Sequence, residues 1–134
     1  MDVGRDLLRA RRVRRELHLT AELLHAYSRR GNFHSDPDAA AGLGYRRLVA
    51  QGMQSAGPAY GLLLDAWGEE FLAHGELELI FVGLVSDGDT VVAVVGLDGE
   101  VDDGVDQGAA TITVANSTTG VTAVVGSARR SIAG

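Results

Sequence analysis

Gly52–Trp67, GMQSAGPAYGLLLDAW, is the stretch on which the fold turns. It is the longest apolar segment of the chain that is not β-branched, and Ala, Gly, Leu and aromatic residues fill most of it. Ala and Leu favour helix over strand, and a helix this apolar has to be buried. Its small residues, Ser55, Ala56, Gly57, Ala59 and Gly61, would let another backbone approach closely. Pro58 is the discordant residue: without an N–H it should kink the helix or mark its true first turn.

Working outward, Leu8–Leu19 ends in alternation, with Val13, Leu17 and Leu19 set against Arg14, Glu16 and His18, and reads as a strand with one wet face. Thr20 then caps a short helix through Leu23, Leu24 and Tyr27, which the polar run Ser28-Arg29-Arg30-Gly31 ends. A second short helix starts at Ser35-Asp36-Pro37-Asp38, with a capping side chain, Pro at the first helical position and an acid in the first turn, and Gly42 stops it. After Gly75 the chain is rich in Val, Ile and Thr. Glu76–Val82, Thr90–Leu97, Ala109–Ala115 and Val121–Ser127 read as four strands in a meander. Asp87-Gly88-Asp89, Asp98-Gly99 and Asn116–Gly120 supply hairpin-type turns. One long apolar helix followed by enough antiparallel strand to curl round it buries both in a single α+β domain over residues 1–134. The expected architecture is a hotdog, an antiparallel sheet wrapped around one long central helix.

Composition narrows the function. With 134 residues and no Cys, the chain is one globular domain without thiolate nucleophiles, redox dithiols or Cys-based zinc sites. The formal charge of -6 argues against nucleic acid or anionic lipid as a partner. Residues 1–30 carry eight Arg against four acids, while the rest carries four Arg against fourteen acids, so the basic part is a local stripe. All cations are Arg, which reads as genome composition more readily than as guanidinium chemistry. Arg5, Arg9, Arg11, Arg12, Arg14 and Arg15 read as a solvated strand face, with the phosphates of a nucleotide-bearing substrate as the alternative. No apolar run approaches the roughly 20 residues that span a bilayer, and Met1–Arg15 is basic with no apolar core behind it, so a cytoplasmic protein without a secretory signal is expected. His18, His25 and His74 lack ligand spacing, and the acids between Asp98 and Asp106 do not follow a calcium-loop pattern, so neither a metal nor a cofactor is expected.

Three passages carry a resemblance. Asn32-Phe33-His34-Ser35-Asp36-Pro37 resembles an Asp-x-Asn-Pro-x-His-x-Asp loop. Leu48-Val49-Ala50-Gln51-Gly52-Met53 is similar to an Ile-Ala-His-Gly-Met lead into a hotdog helix, and Glu78–Thr90 resembles an Arg-Phe-x-x-Pro-Val-x-x-Gly-Asp-Thr strand and turn. In this order they resemble the MaoC-like branch of the hotdog superfamily, the (R)-specific enoyl-CoA hydratases and 3-hydroxyacyl thioester dehydratases. The resemblance implies a homodimer, or a heterodimer, acting on acyl-CoA or acyl-carrier-protein thioesters. It implies His34 as the acid/base, with Asn32 in the same loop, and the N–H of Gly52 as the oxyanion donor, with Gln51 and Ser55 beside the substrate. Such a reaction needs a group that takes and returns protons and donors for an enolate-like oxygen, which an imidazole and a helix N-terminus can supply.

The chain departs from that pattern at the position of its Asp, five residues before the His, where Arg29 stands; with one residue deleted, Asn32 keeps the Asn role and Arg30 or Arg29 replaces the Asp. No carboxylate lies between Glu22 and His34, and Gln51 replaces the His before the helix Gly. Three alternatives therefore stand beside the hydratase. One is a tailoring isomerase, cyclase or dehydratase of polyketide-type metabolism, in which a single His suffices. Another is a catalytically degenerate subunit that binds acyl chains or stabilises an active partner. A thioesterase is disfavoured, because the first acid after Gly52 is Asp65, thirteen residues along the helix. His34 could also merely cap its loop, although its neighbours favour the chemical role.

Overall fold

The computed structural model describes residues 11–28, 32, 34–45, 47–98 and 107–131. Within them five strands, β1 (Arg11–His18), β2 (Gly75–Phe81), β3 (Thr90–Asp98), β4 (Gln107–Asn116) and β5 (Val121–Ser131), form one sheet in the order β1-β3-β4-β5-β2 with every neighbouring pair antiparallel. The helices are α1 (Ala21–Tyr27), α2 (Pro37–Gly42), α3 (Gly52–Trp67) and α4 (Glu69–His74). The single α+β hotdog arrangement expected from the sequence is therefore present, with α3 laid across β1, β3, β4 and β5.

The meander is corrected in part. Strands β3, β4 and β5 follow one another as neighbours, but β2 pairs with β5 at the far edge, so the chain after Phe81 crosses the sheet to reach β3 beside β1. Asp87-Gly88-Asp89 belongs to this crossing and not to a hairpin. It is a turn all the same, closed by the Asp89 N–H on the Ser86 carbonyl at 3.0 Å, with Gly88 at φ +86°, where a side chain would be strained. Alternation and turn residues specify strands and bends; which neighbour a strand takes is decided by packing. The sequence reading did not include the short helix α4, whose last residue is the exposed His74. Leu8 to Ala10, Arg5, Arg9 and the acidic tip 99–106 lie outside the described residues.

The core forms where two periodicities meet. Along β3 the buried residues are Val91, Ala93, Val95 and Leu97, and along β4 Ala110, Ile112 and Val114, every second position. On α3 the buried face is Ala56, Ala59, Leu62 and Leu63, at helical spacing. Ala93, Ala110, Ala123 and Ala128 keep the sheet face shallow enough for the helix to lie close. Of the small helix residues read as admitting a backbone, Ala56 and Ala59 are buried, whereas Gly57 faces open space and Gly61 lies beneath the Arg15 guanidinium, which pairs with Asp65 one turn on. Helix α3 runs unbroken through Pro58, its seventh residue, so Pro58 does not mark the first turn and instead deprives the Gln54 carbonyl of its usual N–H partner. The expected caps hold: Thr20 Oγ1 accepts from Leu23 N at 3.2 Å, and Asp36 Oδ1 accepts from Asp38 N at 2.9 Å with Pro37 at the first position.

Candidate active site

The site grows from the loop that leads into α3. Residues 48–50 run antiparallel to 85–87: Ala50 N–H donates to Val85 O at 2.7 Å, Asp87 N–H donates to Leu48 O at 3.0 Å, and Val49 bridges Ser86. This short ladder fixes the Val49 carbonyl. Onto it the half-buried His34 donates from Nδ1 at 2.6 Å. A carbonyl oxygen only accepts, so the Nδ1 proton is required by this bond and Nε2 is the basic nitrogen of the neutral ring. Asn32 acts on the backbone: its Oδ1 accepts from the His34 N–H at 2.9 Å, and its carbonyl accepts from Ser35 N at 3.1 Å and Asp36 N at 2.7 Å. Asn32 thus shapes the loop that presents His34.

Gly52 is the first residue of α3, and the helix's first internal bonds are Gln54 N and Ser55 N to the Gln51 carbonyl at 3.0 and 3.1 Å. The N–H groups of Gly52 and Met53 therefore point out of the helix end, where no described residue accepts from Gly52 and the Gln51 side chain makes no cap. The glycine also has a packing reason. A Cβ at position 52 would lie 2.6 Å from Cδ1 and 2.7 Å from Cε1 of Phe81, so the aromatic ring occupies the space that a side chain would take.

Gln51 and Ser55 are placed differently from each other. Gln51 turns to α1, its Nε2 donating to Ser28 Oγ at 2.9 Å, and Ser55, buried, bonds back on the Gln51 carbonyl at 3.4 Å. Gln54, unremarked in the sequence, also ties α3 to α1 by donating from Nε2 to Leu23 O at 2.8 Å. The structure thus joins His34 to the lead-in of α3 and Asn32 to His34, while Gln51 and Ser55 are engaged with Ser28 and with the helix itself.

Sequence reading took the acid beneath this loop for a turn residue only. Asp89, with 2% of its side chain exposed, takes Ser86 N on Oδ2 at 2.9 Å, Asn116 Nδ2 on Oδ2 at 2.8 Å and Arg47 Nη1 on Oδ1 at 3.1 Å. Burial pushes its carboxyl up, but the bonds from Ser86 and Asn116 and the charge and bond of Arg47 outweigh burial and hold it below the ordinary value of 3.8. A depressed folded pKa contributes stability above the unfolded value that is lost as pH falls through the folded one. The melting-temperature difference between the native chain and Asp89→Asn is therefore expected to be full at pH 6–7 and to shrink below about pH 4. A gap that stays constant down to pH 2.5 would remove the carboxylate from the account.

Among the described residues, no three His, Asp or Glu side chains gather as a metal site, and no helix is long and apolar enough to cross a membrane. No family profile and no curated protein matches the chain. Solved structures do. An (R)-hydratase from A. caviae involved in PHA biosynthesis superposes with TM-score 0.74 at 22% identity over 92% of this chain and 96% of its own. The MaoC-like dehydratase from Rhodospirillum rubrum gives TM-score 0.63 at 18% identity over 92% and 90% of the two chains. The HadBC (3R)-hydroxyacyl-ACP dehydratase complex from Mycobacterium tuberculosis gives 0.64 at 20% over 90% and 95%. The chain has the hotdog fold of these structures. Within it His34 stands in the loop before the central helix, bonded to the Val49 carbonyl, and Gly52 is the helix's first residue.

Proposed function

We propose that this chain adds water to, or removes it from, acyl thioesters carried on CoA or on a carrier protein. The observation that supports the reading best is the bond from His34 Nδ1 to the carbonyl of Val49, three residues before Gly52, which leaves Nε2 as the nitrogen that can take a proton. In the hydration direction, Nε2 takes a proton from water as its oxygen bonds to C3 of the enoyl thioester, and the C2–C3 π electrons move onto the thioester oxygen. The Gly52 N–H, at the positive end of α3, stabilises that oxygen, and the imidazolium returns a proton to C2 as the enolate collapses. One imidazole serves both transfers, in keeping with the absence of a carboxylate between Glu22 and His34. The working form is a cytoplasmic homodimer, in which a second copy covers the exposed Met53, Ile80, Phe81, Val82 and Leu84.

The test is purified protein alone with crotonyl-CoA, following loss of the conjugated-thioester absorbance and, in parallel, release of free thiol. Loss of conjugation without thiol release is the expected result. Thiol release instead would mean hydrolysis. Activity that requires a second chain would make this protein the supporting subunit of a heterodimer, and no turnover with or without one would overturn the reading.

A further inference from the structure

We propose that Asp89 is a positioning residue for His34, acting through the Val49 carbonyl. The imidazole is oriented by a carbonyl, that carbonyl belongs to a ladder of residues 48–50 with 85–87, and the 85–87 half of the ladder is held by Asp89. The hydrogen bonds of the Asp89 side chain go to Ser86, Asn116 and Arg47, and so reach His34 only through the ladder. Its three donors converge from three parts of the fold: Ser86 from the crossing connection, Asn116 from the end of β4, and Arg47 from the loop that leads to Val49. Arg47 donates as well to the Asp87 carbonyl at 2.9 Å, so one guanidinium clamps both halves of the ladder. On its other side Asn116 Oδ1 accepts from Thr118 N at 3.1 Å and Thr119 N at 3.2 Å, which anchors the network in the β4–β5 turn. A completely buried carboxylate with every oxygen engaged resists displacement, because any shift leaves a charge or a donor unpaired in a low dielectric.

The kinetic consequence rests on the reading of His34 as the acid/base, but the geometric one does not. Asp89→Asn places an amide donor against Asn116 Nδ2 or Arg47 and loosens the ladder. The expected result, by nitrogen-15 NMR of the His34 ring in the full chain, is movement from the pure Nδ1–H pattern toward a mixture of tautomers. Turnover of crotonyl-CoA should fall about tenfold with KM within about twofold, less than the hundredfold that a full 1 Å misplacement can cost. The exchanged pair Asp89→Asn with Asn116→Asp rebuilds an amide–carboxylate bond and keeps an acceptor for Thr118 and Thr119, but it sets an amide N–H where Ser86 N had its acceptor, so the His34 pattern should stay shifted even where stability recovers. Val95→Ala, a core truncation in β3, controls for plain loss of stability and should leave the His34 pattern unchanged. Should Asp89→Asn not fold, Arg47→Met removes only the half-exposed partner and should shift the pattern the same way, by less. Ring nitrogens unmoved in a folded Asp89→Asn or in Arg47→Met, or moved equally by Val95→Ala, would overturn the assignment. Because the NMR signal needs no substrate, an inactive wild type would sink the enzymatic reading and leave this one standing.

Discussion

His34→Ala is expected to lower crotonyl-CoA turnover by about 10²- to 10⁴-fold, the range that a positioned general acid/base contributes. The loss should fall on kcat, because the proposed oxyanion donor, the Gly52 N–H, lies on α3 and is untouched by the change. His34→Gln sharpens the test: its amide can still donate to the Val49 carbonyl and hold the loop, yet it cannot take a proton at neutral pH. If Gln matches Ala in rate while matching the native chain in melting temperature, the imidazole acts as a proton carrier. If Gln restores the rate, the residue only supports the loop and the capping role wins. Neither variant should cost much stability, since His34 is half-buried and the Val49 backbone keeps its ladder to Ser86. A His34→Ala protein retaining half its native rate would end the catalytic proposal.

The same residues show where sequence reading reaches and where it stops. Helix α3 was legible because an apolar run of Ala, Gly and Leu has few other options, and the strands because they are rich in Val, Ile and Thr; both signals are local. The caps at Thr20 and Asp36 were legible because one side chain satisfies one nearby N–H. The neighbour of β2 was not, since pairing with β5 in place of β3 depends on contacts some fifty residues apart, as between Glu76 and Arg129. His34 was picked out by the company it keeps in the chain, but its carbonyl partner, which decides the proton's place on the ring, lies fifteen residues away. Asp89 read as an ordinary turn acid because Asp beside Gly is the commonest turn chemistry. Its burial comes from Arg47 and Asn116, which approach from opposite directions in sequence. Gly52 was explained by its N–H alone, and the ring that fills its missing side chain arrives from the last residue of β2.

That second reason for Gly52 makes Gly52→Ala the most informative single change after His34. A methyl at 52 would meet Phe81 Cδ1 at 2.6 Å, well inside contact distance, so the ring has to leave or the start of α3 has to shift. Overpacking of this kind costs about 1–3 kcal/mol, and a shift of about 1 Å in the N–H proposed to hold the thioester oxygen would lower kcat/KM by about a hundredfold. The backbone at 52 carries no positive φ, so alanine is conformationally acceptable there once space exists. In a Phe81→Ala background the sign should reverse. The same Gly52→Ala change should then stabilise by about 0.4–1 kcal/mol, because alanine has fewer unfolded conformations to lose than glycine. Turnover should return to the level of Phe81→Ala itself, since alanine offers the same N–H at the same helix position. The cycle separates the two roles of the glycine: a coupling of about 1–3 kcal/mol in melting experiments, with activity restored, assigns the missing side chain to Phe81 and the N–H to the substrate. If Gly52→Ala is as damaging to turnover without the Phe81 ring as with it, the substrate itself must press against the Cα, and the face of α3 that it approaches is the one the ring covers.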